Sequence, residues 1–304
     1  MTNKAILVTG ATGKQGGAVV NALLESNSDF EILALTRNAS SPSAQKLTQK
    51  SSKIKLVTGN LDALDEVFQT AQKATNLPIW GVFSVQVAIG DGHTAITEER
   101  QGKALIDAAL THGVKHFVYS SVDRGGAASE TSPTTVPHFI SKHAVEQHLF
   151  AKAQGSGMSY TVLRPVAFFE DLSNDFVGKV FASSYAAMGQ KSLQMIATSD
   201  IGFFAAQAFL KPEEYKGVRL SIAGDELTFA EFKNVFENTT GKKLPMTWGF
   251  VAGFVNMMVK DLGLMFKWFG EVGYGADVEA SRRIHPGLKN FKTWLEEESA
   301  WKKN

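Results

Sequence analysis

A short apolar run that stops at three evenly spaced glycines constrains this chain more than any other stretch. It reads Ala5-Ile6-Leu7-Val8, then Thr9-Gly10-Ala11-Thr12-Gly13-Lys14-Gln15-Gly16-Gly17. A parallel strand buried on both faces reads as a continuous apolar run, so Ala5–Val8 suits a central strand. The turn after it needs glycine for its tight bend and for close approach of backbone to a ligand. Gly16 lets the next helix sit against the strand. The bare amides and positive dipole end at a helix start suit a diphosphate. Thr12 adds a hydroxyl, Lys14 a charge and Gln15 an amide at that helix start. Glycine triplets occur in many turns, so the motif alone is weak evidence; the strand before it and the helix after it give it meaning.

Apolar runs and amphipathic stretches then alternate. Gly17–Glu25 carries Val19, Val20, Leu23 and Leu24 at helical spacing. Phe30–Thr36 reads as a second strand and ends at Arg37. An acid at this position would accept both ribose hydroxyls of NAD; an arginine pairs with the 2′-phosphate of NADP. No acid stands near the strand end, so NADP is the expected cofactor, against the plainer reading of Arg37 as a solvated loop residue. Ser40–Lys50 suits a short surface helix, and Lys53–Thr58 a third strand. Asn60 and Asp62 follow it and face the adenine in one reading; in the other, which we weigh higher, Asp62 caps the helix Ala63–Lys73. Ile79–Ser84 is a fourth strand, placing Ser84, Val85 and Gln86 beside the cofactor. A helix over Thr94–Thr111 and a fifth strand, His116–Tyr119, lead to Ser120 and Ser121. Five alternations in this span predict an α/β fold with a doubly wound parallel sheet, whose ligands lie at the carboxyl ends of the strands.

The next stretch, Arg124–Val136, is rich in Gly, Ser, Thr and Pro and suits a mobile lid or an exposed connection. A helix from Pro137 to about Ala153 carries His138, Lys142, His143 and His148. Met158–Leu163 is a sixth strand, followed by Arg164-Pro165, with Pro165 at the cofactor end. Beyond it, Phe168–Leu172 begins a smaller lobe. Asp171 or Ser173 is expected to cap a helix there, and Ser199–Gly202 to cap another through Leu210. Val218–Ile222 returns to the sheet. The expected division is 1–166 plus about 203–224 for the dinucleotide domain. The mostly helical lobe takes about 167–202 plus 225–304. Gly249–Phe269, rich in Phe, Met and Val, is read as core before pocket lining. Its lysines and Asp261 argue for a buried or partner-facing helix over a membrane span.

Composition removes several functions. The chain has 304 residues and no cysteine, so disulfides, thiol nucleophiles and thiolate metal sites are excluded. Its net charge of +1 offers no field for nucleic acid or anionic lipid at long range. Ala5–Val8 is too short for a signal peptide, which leaves a cytoplasmic or nuclear location as the expectation. His143 and His148 lie five residues apart, about 140° around a helix, so they do not share a face and no metal site is expected. Glu170 and Asp171 are sequence neighbours that diverge, and no Gly-x-Ser-x-Gly elbow occurs.

Taken in order, the motifs resemble the NmrA-like family of atypical short-chain dehydrogenases/reductases over nearly the whole chain. They are VTGATGKQGG at Val8–Gly17, LTRN at Leu35–Asn38, GNLDA at Gly59–Ala63 and VYSSVD at Val118–Asp123. LRPVAFFED at Leu163–Asp171, TSDIG at Thr198–Gly202 and Val272–Leu295 complete the set. The resemblance implies that Gly10, Thr12, Gly13 and Gly16 hold the diphosphate and Arg37 the 2′-phosphate. It also implies a choice of activity, because such proteins include NADP-binding redox sensors, transcriptional co-regulators and true reductases. Short-chain dehydrogenases use a Tyr-x-x-x-Lys pair with a strand serine. Here the helix reads His138-Phe139-Ile140-Ser141-Lys142, so histidine stands at the tyrosine position. Lys142 is expected at the nicotinamide ribose, Ser121 as the strand serine, and His138 as a proton donor in place of the tyrosine, because imidazoles in general can transfer protons near neutral pH. Two functions follow: an NADP(H)-sensing regulator of a protein partner such as a transcription factor, or an NADPH-dependent reductase of an apolar quinone or conjugated carbonyl.

Overall fold

The computed structural model describes residues 4–302 apart from 89 and 91. Alternating strands and helices open the chain: β1 (Lys4–Val8), α1 (Lys14–Glu25), β2 (Phe30–Thr36), α2 (Pro42–Thr48), β3 (Ile54–Thr58), α3 (Leu64–Ala74), β4 (Ile79–Ser84), α4 (Ala95–Thr111) and β5 (His116–Ser120). The middle holds α5 (Pro137–Ala153), β6 (Ser159–Pro165), β7 (Ala167–Phe168), α6 (Phe176–Ala186), β8 (Ser192–Ile196), α7 (Thr198–Leu210), α8 (Pro212–Tyr215) and β9 (Arg219–Ile222). Then come β10 (Asp225–Thr228), α9 (Phe229–Thr240), α10 (Gly249–Met258), α11 (Lys260–Glu271), α12 (Val278–Ile284) and α13 (Phe291–Glu297). Two compact units result. One takes the chain up to Ser121 with Ser141–Arg164 and Ile201–Leu220; the other takes Val122–Ile140, Pro165–Asp200 and the chain from Ser221 onward.

In the first unit the doubly wound sheet has strand order β3-β2-β1-β4-β5-β6-β9. The strands from β3 to β6 pair in parallel, and Val8 stands opposite Ala34 on β2 and Phe83 on β4. The order reverses between β1 and β4, and that switch point opens the crevice where such sheets bind ligands. Ala5 to Val8 are fully buried, as the apolar run requires. Helix α3 shows why the layers hold: Leu64, Val67, Phe68 and Ala71 fall on one face and are buried. Each large apolar side chain there contributes roughly 1.5–3 kcal/mol by leaving water.

His116 on β5 is the unusual member of this core. Its ring is fully buried, stacked beside Trp80 and edge-on to Phe209. Ser159 Oγ lies 2.8 Å from Nδ1, and Thr161 Oγ1 lies 3.2 Å from Nε2 while donating to Tyr215 O. Burial depresses the imidazole from its ordinary value of 6.5 to about 4. Below pH 6.5 the unfolded chain therefore takes up a proton that the folded chain refuses. This lost stability should accumulate from pH 6.5 down to pH 4, reaching about 3 kcal/mol at full effect. Thermal melts of wild type and His116→Gln between pH 7.5 and 4.5 test this. The wild-type melting temperature should fall more steeply with acid, and parallel curves would refute it.

In the second unit β8 pairs antiparallel with β10 and parallel with β7. Its core is aromatic: Phe232 stacks on Phe291 at 4.2 Å, and Phe291 on Trp294 at 6.0 Å. Several sequence expectations change here. Helix α6 is capped by Asp175, which accepts from Gly178 N; Ser173 only donates to Asp175, and Asp171 accepts from Phe168 N. Ser199 and Asp200 do not cap α7. Glu170 does so through the Thr198 N–H and hydroxyl at 2.9 and 2.8 Å, while buried Asp200 holds Lys289 N and His285 Nε2. Burial raises the Glu170 carboxyl above its ordinary value.

The stretch 124–136 is an anchored connection: Ala127, Ala128, Thr131, Pro133 and Thr135 are exposed, while Arg124, Ser129 and Val136 are buried. Arg124 is 1% exposed, and its guanidinium donates to Ser132 O and Val122 O, each at 3.0 Å, and to Ser129 O. What composition does not show is that one buried arginine satisfies carbonyls within and just before this segment. Gly249–Phe269 divides in two. Phe266, Trp268 and Phe269 of α11 are core, whereas Phe250 and Phe254 of α10 are 74% and 58% exposed. No single helix among the described residues is long and apolar enough to cross a membrane. The α10–α11 pair is bent by 115°.

Candidate functional site

The glycine turn after β1 is built to tolerances that only glycine meets. Gly10 has a φ of +60°, in the left-handed region, and a Cβ on Gly16 would stand 2.3 Å from Gly10 O and 2.5 Å from Thr9 O. The start of α1 is thereby pressed against the turn. Gly13 caps α1 with extended backbone, no side chain caps it, and no acid sits in its first turn. Gly10, Thr12, Gly13 and Lys14 are exposed. A helix N-terminus left open in this way suits an anion.

Side chains fasten the neighbouring strand ends to this turn. Thr9 Oγ1 accepts from Val85 N at 2.8 Å and donates to Val85 O at 2.9 Å, tying β1 to the end of β4. Ser120 Oγ at the end of β5 donates to Gln15 Oε1 at 2.5 Å. Lys142 on α5 donates from Nζ to Ser120 O at 3.1 Å. So Gly10, Gln15, Gly16, Val85, Ser120 and Lys142 form one connected cluster at the switch point. Ser84 and Gln86 adjoin it, but Ser84 is fully buried and its hydroxyl accepts from Gln86 Nε2 at 2.9 Å. Arg37 and Asn60 stand exposed just beyond the ends of paired strands β2 and β3.

Other expected residues have polar partners within the protein. Asp62 does not cap α3, whose first position follows Ala63 with no side-chain cap. Its carboxylate accepts from Gln101 at 2.9 Å and Arg100 at 2.8 Å, and the Gln101 hydrogen bond holds it below the ordinary carboxylate value. Arg100 and Gln101 on the facing helix outcompete the cap because they bring charge and a directed donor. Ser121 is buried, and its hydroxyl donates to Glu146, which also takes a forked pair from Arg164 at 2.7 and 3.1 Å. Lys142 lies 3.2 Å from Glu98 Oε1, and Glu98 Oε2 accepts from Ser141. Glu98 is fully buried, so the lysine is charge-compensated inside the first unit.

His138 and Pro165 belong to the second unit. Pro165 is buried, and its carbonyl accepts from Asp123 N at 3.0 Å. His138 Nδ1 bonds the carboxylate of Asp261, with the two side chains 13% and 16% exposed. A carboxylate on one imidazole nitrogen fixes the orientation of the ring and its tautomer.

The family model described as the NmrA-like family matches residues 2–295. The chain belongs to the NmrA-like family. An NmrA-like family domain-containing oxidoreductase of Penicillium ochrochloron is 26% identical, with 98% of this chain and 99% of that protein covered. Among solved structures, the Citrobacter sp. triphenylmethane reductase complexed with NADP(H) superimposes with a TM-score of 0.73 at 18% identity. It covers 97% of this chain and 100% of its own. NmrA itself, a negative transcriptional regulator in complex with NADP, gives 0.70 at 17% identity, covering 98% and 96%. At these identities the two structures establish a shared NmrA-type fold.

Sequence reading missed three partners within the NmrA-like frame: Glu98 for Lys142, Glu146 for Ser121 and Asp261 for His138. Glu98 and Glu146 lie on helices at positions that only the structure shows to be fully buried. A buried acid implies a cation or donor nearby. Asp261, 123 positions from His138, carried no signal in the sequence.

Proposed function

We propose that the chain is an NADPH-dependent reductase acting on a quinone or conjugated carbonyl. The single observation that carries this is the His138–Asp261 pair: the histidine at the tyrosine position is held by a carboxylate, as a proton-transferring imidazole needs to be. The residues of the glycine turn fit NADP, because Gly16 has no room for a Cβ and no side chain caps the α1 N-terminus. Arg37 would hold the 2′-phosphate, Gly10–Gly16 the diphosphate and Lys142 the nicotinamide ribose. When bound, the cofactor supplies a hydride to the electrophilic substrate and leaves as NADP. The imidazolium of His138 would give a proton to the reduced oxygen, and water would restore it. The names of the Penicillium relative and the triphenylmethane reductase support this reading.

A redox-sensing regulator is the second reading. It is favoured by Ser121 and Lys142, both tied to buried carboxylates, and by the name of the NmrA neighbour. NADPH consumption against a panel of quinones, enones and aldehydes separates the two. Turnover is expected, falling about 10²–10⁴-fold in His138→Phe, the range for general acid–base groups. NADPH affinity should stay unchanged. Binding without turnover on any compound would transfer the case to the regulator.

A further inference from the structure

Helix α10 inverts the usual surface pattern. Its inward side is Ala252, 2% exposed, with Asn256 exchanging hydrogen bonds with Ser184 on α6. Its outward side is Phe250, Gly253, Phe254, Met257 and Met258, with no polar residue among them. At about 100° per residue these five share one face about 140° wide. Their exposures are 74% for Phe250, 58% for Phe254, 69% for Met257 and 67% for Met258. Trp248, also 74% exposed, stacks on Phe250 just before the helix. A surface helix ordinarily turns charge to water, so an apolar face of this kind marks an interaction site.

Charge around the face selects the partner. Residues 244–259 contain no charged side chain, while Lys242, Lys243 and Lys260 stand exposed at the two ends. Aromatic and apolar residues on the outer face with basic ends match a helix that lies in the boundary of an anionic bilayer. Two copies meeting antiparallel through this face would set Lys242 and Lys243 against Lys260, a like-charge contact. A membrane span is also disfavoured: the chain bends by 115° into α11, whose Phe266, Trp268 and Phe269 are buried in the core of the second unit. We propose that α10 docks the protein reversibly on an anionic lipid surface, with Trp248, Phe250 and Phe254 inserted and the flanking lysines on the headgroups. This is independent of the proposed reductase activity.

Cosedimentation of the full chain with phosphatidylcholine vesicles, with and without one-fifth phosphatidylserine, tests it. Wild type should bind the anionic vesicles, more weakly at 0.5 M salt, and the emission of exposed Trp248 should shift to the blue. Phe250→Ser with Phe254→Ser should reduce partitioning at least tenfold while leaving the thermal melt unchanged, since both side chains already face water. Lys242→Gln with Lys243→Gln should cost about fivefold per lysine. Failure to bind anionic vesicles overturns the proposal. So does equal binding by the double serine variant. Concentration-dependent dimers that the serine variant abolishes would overturn it too, by assigning the face to a second copy. NADPH affinity and turnover, measured without lipid, report on the reductase reading separately.

Discussion

Gly16→Ala is expected to abolish NADPH binding and to destabilise the first unit by about 4 kcal/mol or more, the range reserved for steric conflicts that cannot relax. The added Cβ would stand 2.3 Å from Gly10 O, 2.4 Å from Gly10 C and 2.5 Å from Thr9 O. All three are backbone atoms, and the turn that carries them is fixed by Thr9 on Val85 and by Gly13 N on Gly10 O at 2.8 Å. Helix α1 would have to retreat from the sheet, taking the amides of its first turn out of reach of a diphosphate. Gly17→Ala is the matched control. Its Cβ would meet only Ala11 O at 3.3 Å, and alanine improves helix propensity, so a change within about 1 kcal/mol is expected. Thermal melts and NADPH titration of both variants decide the matter. A folded Gly16→Ala protein with wild-type affinity would remove the glycine turn from the binding site.

That turn was legible in the sequence because everything it needs is local. The strand, the spacing of glycines and the start of α1 lie within fourteen residues, and each is dictated by backbone sterics. The sheet was legible for a related reason: an apolar run followed by an amphipathic stretch, repeated, leaves few topologies open. What local pattern does not contain is the partner of a buried polar group. Arg124 lies in a stretch whose composition signals a loop, yet two carbonyls of that stretch and Val122 O just before it enclose its guanidinium. Asp62 had every mark of a helix cap until Arg100 and Gln101 arrived from 38 and 39 positions away. Helices α10 and α11 are both apolar and adjacent in sequence, but only α11 turns its aromatics inward. Composition sets how much a helix would gain by burial; the neighbours it meets decide whether the burial happens.

Arg164→Met should cost about 3–5 kcal/mol, because it leaves a buried carboxylate without its counter-ion. The side chains of Arg164 and Glu146 are 3% and 0% exposed, and the guanidinium fork spans both carboxylate oxygens. In the variant, burial without a cation would raise the Glu146 carboxyl. The folded state would then hold a proton that the unfolded state releases, so the deficit should deepen as pH rises from 5 to 8. Glu146→Gln in the Arg164→Met background removes the stranded charge and keeps an acceptor for the Ser121 hydroxyl. It should recover most of the loss and flatten the pH dependence, and the double-mutant cycle gives the coupling energy. Ser121 is the reason this pair bears on function. Its hydroxyl serves Glu146, so it is bound into the support beneath the β5 end while Ser120 faces Gln15. A loss below about 1 kcal/mol in Arg164→Met, the range of a solvated ion pair, would mean that water reaches Glu146.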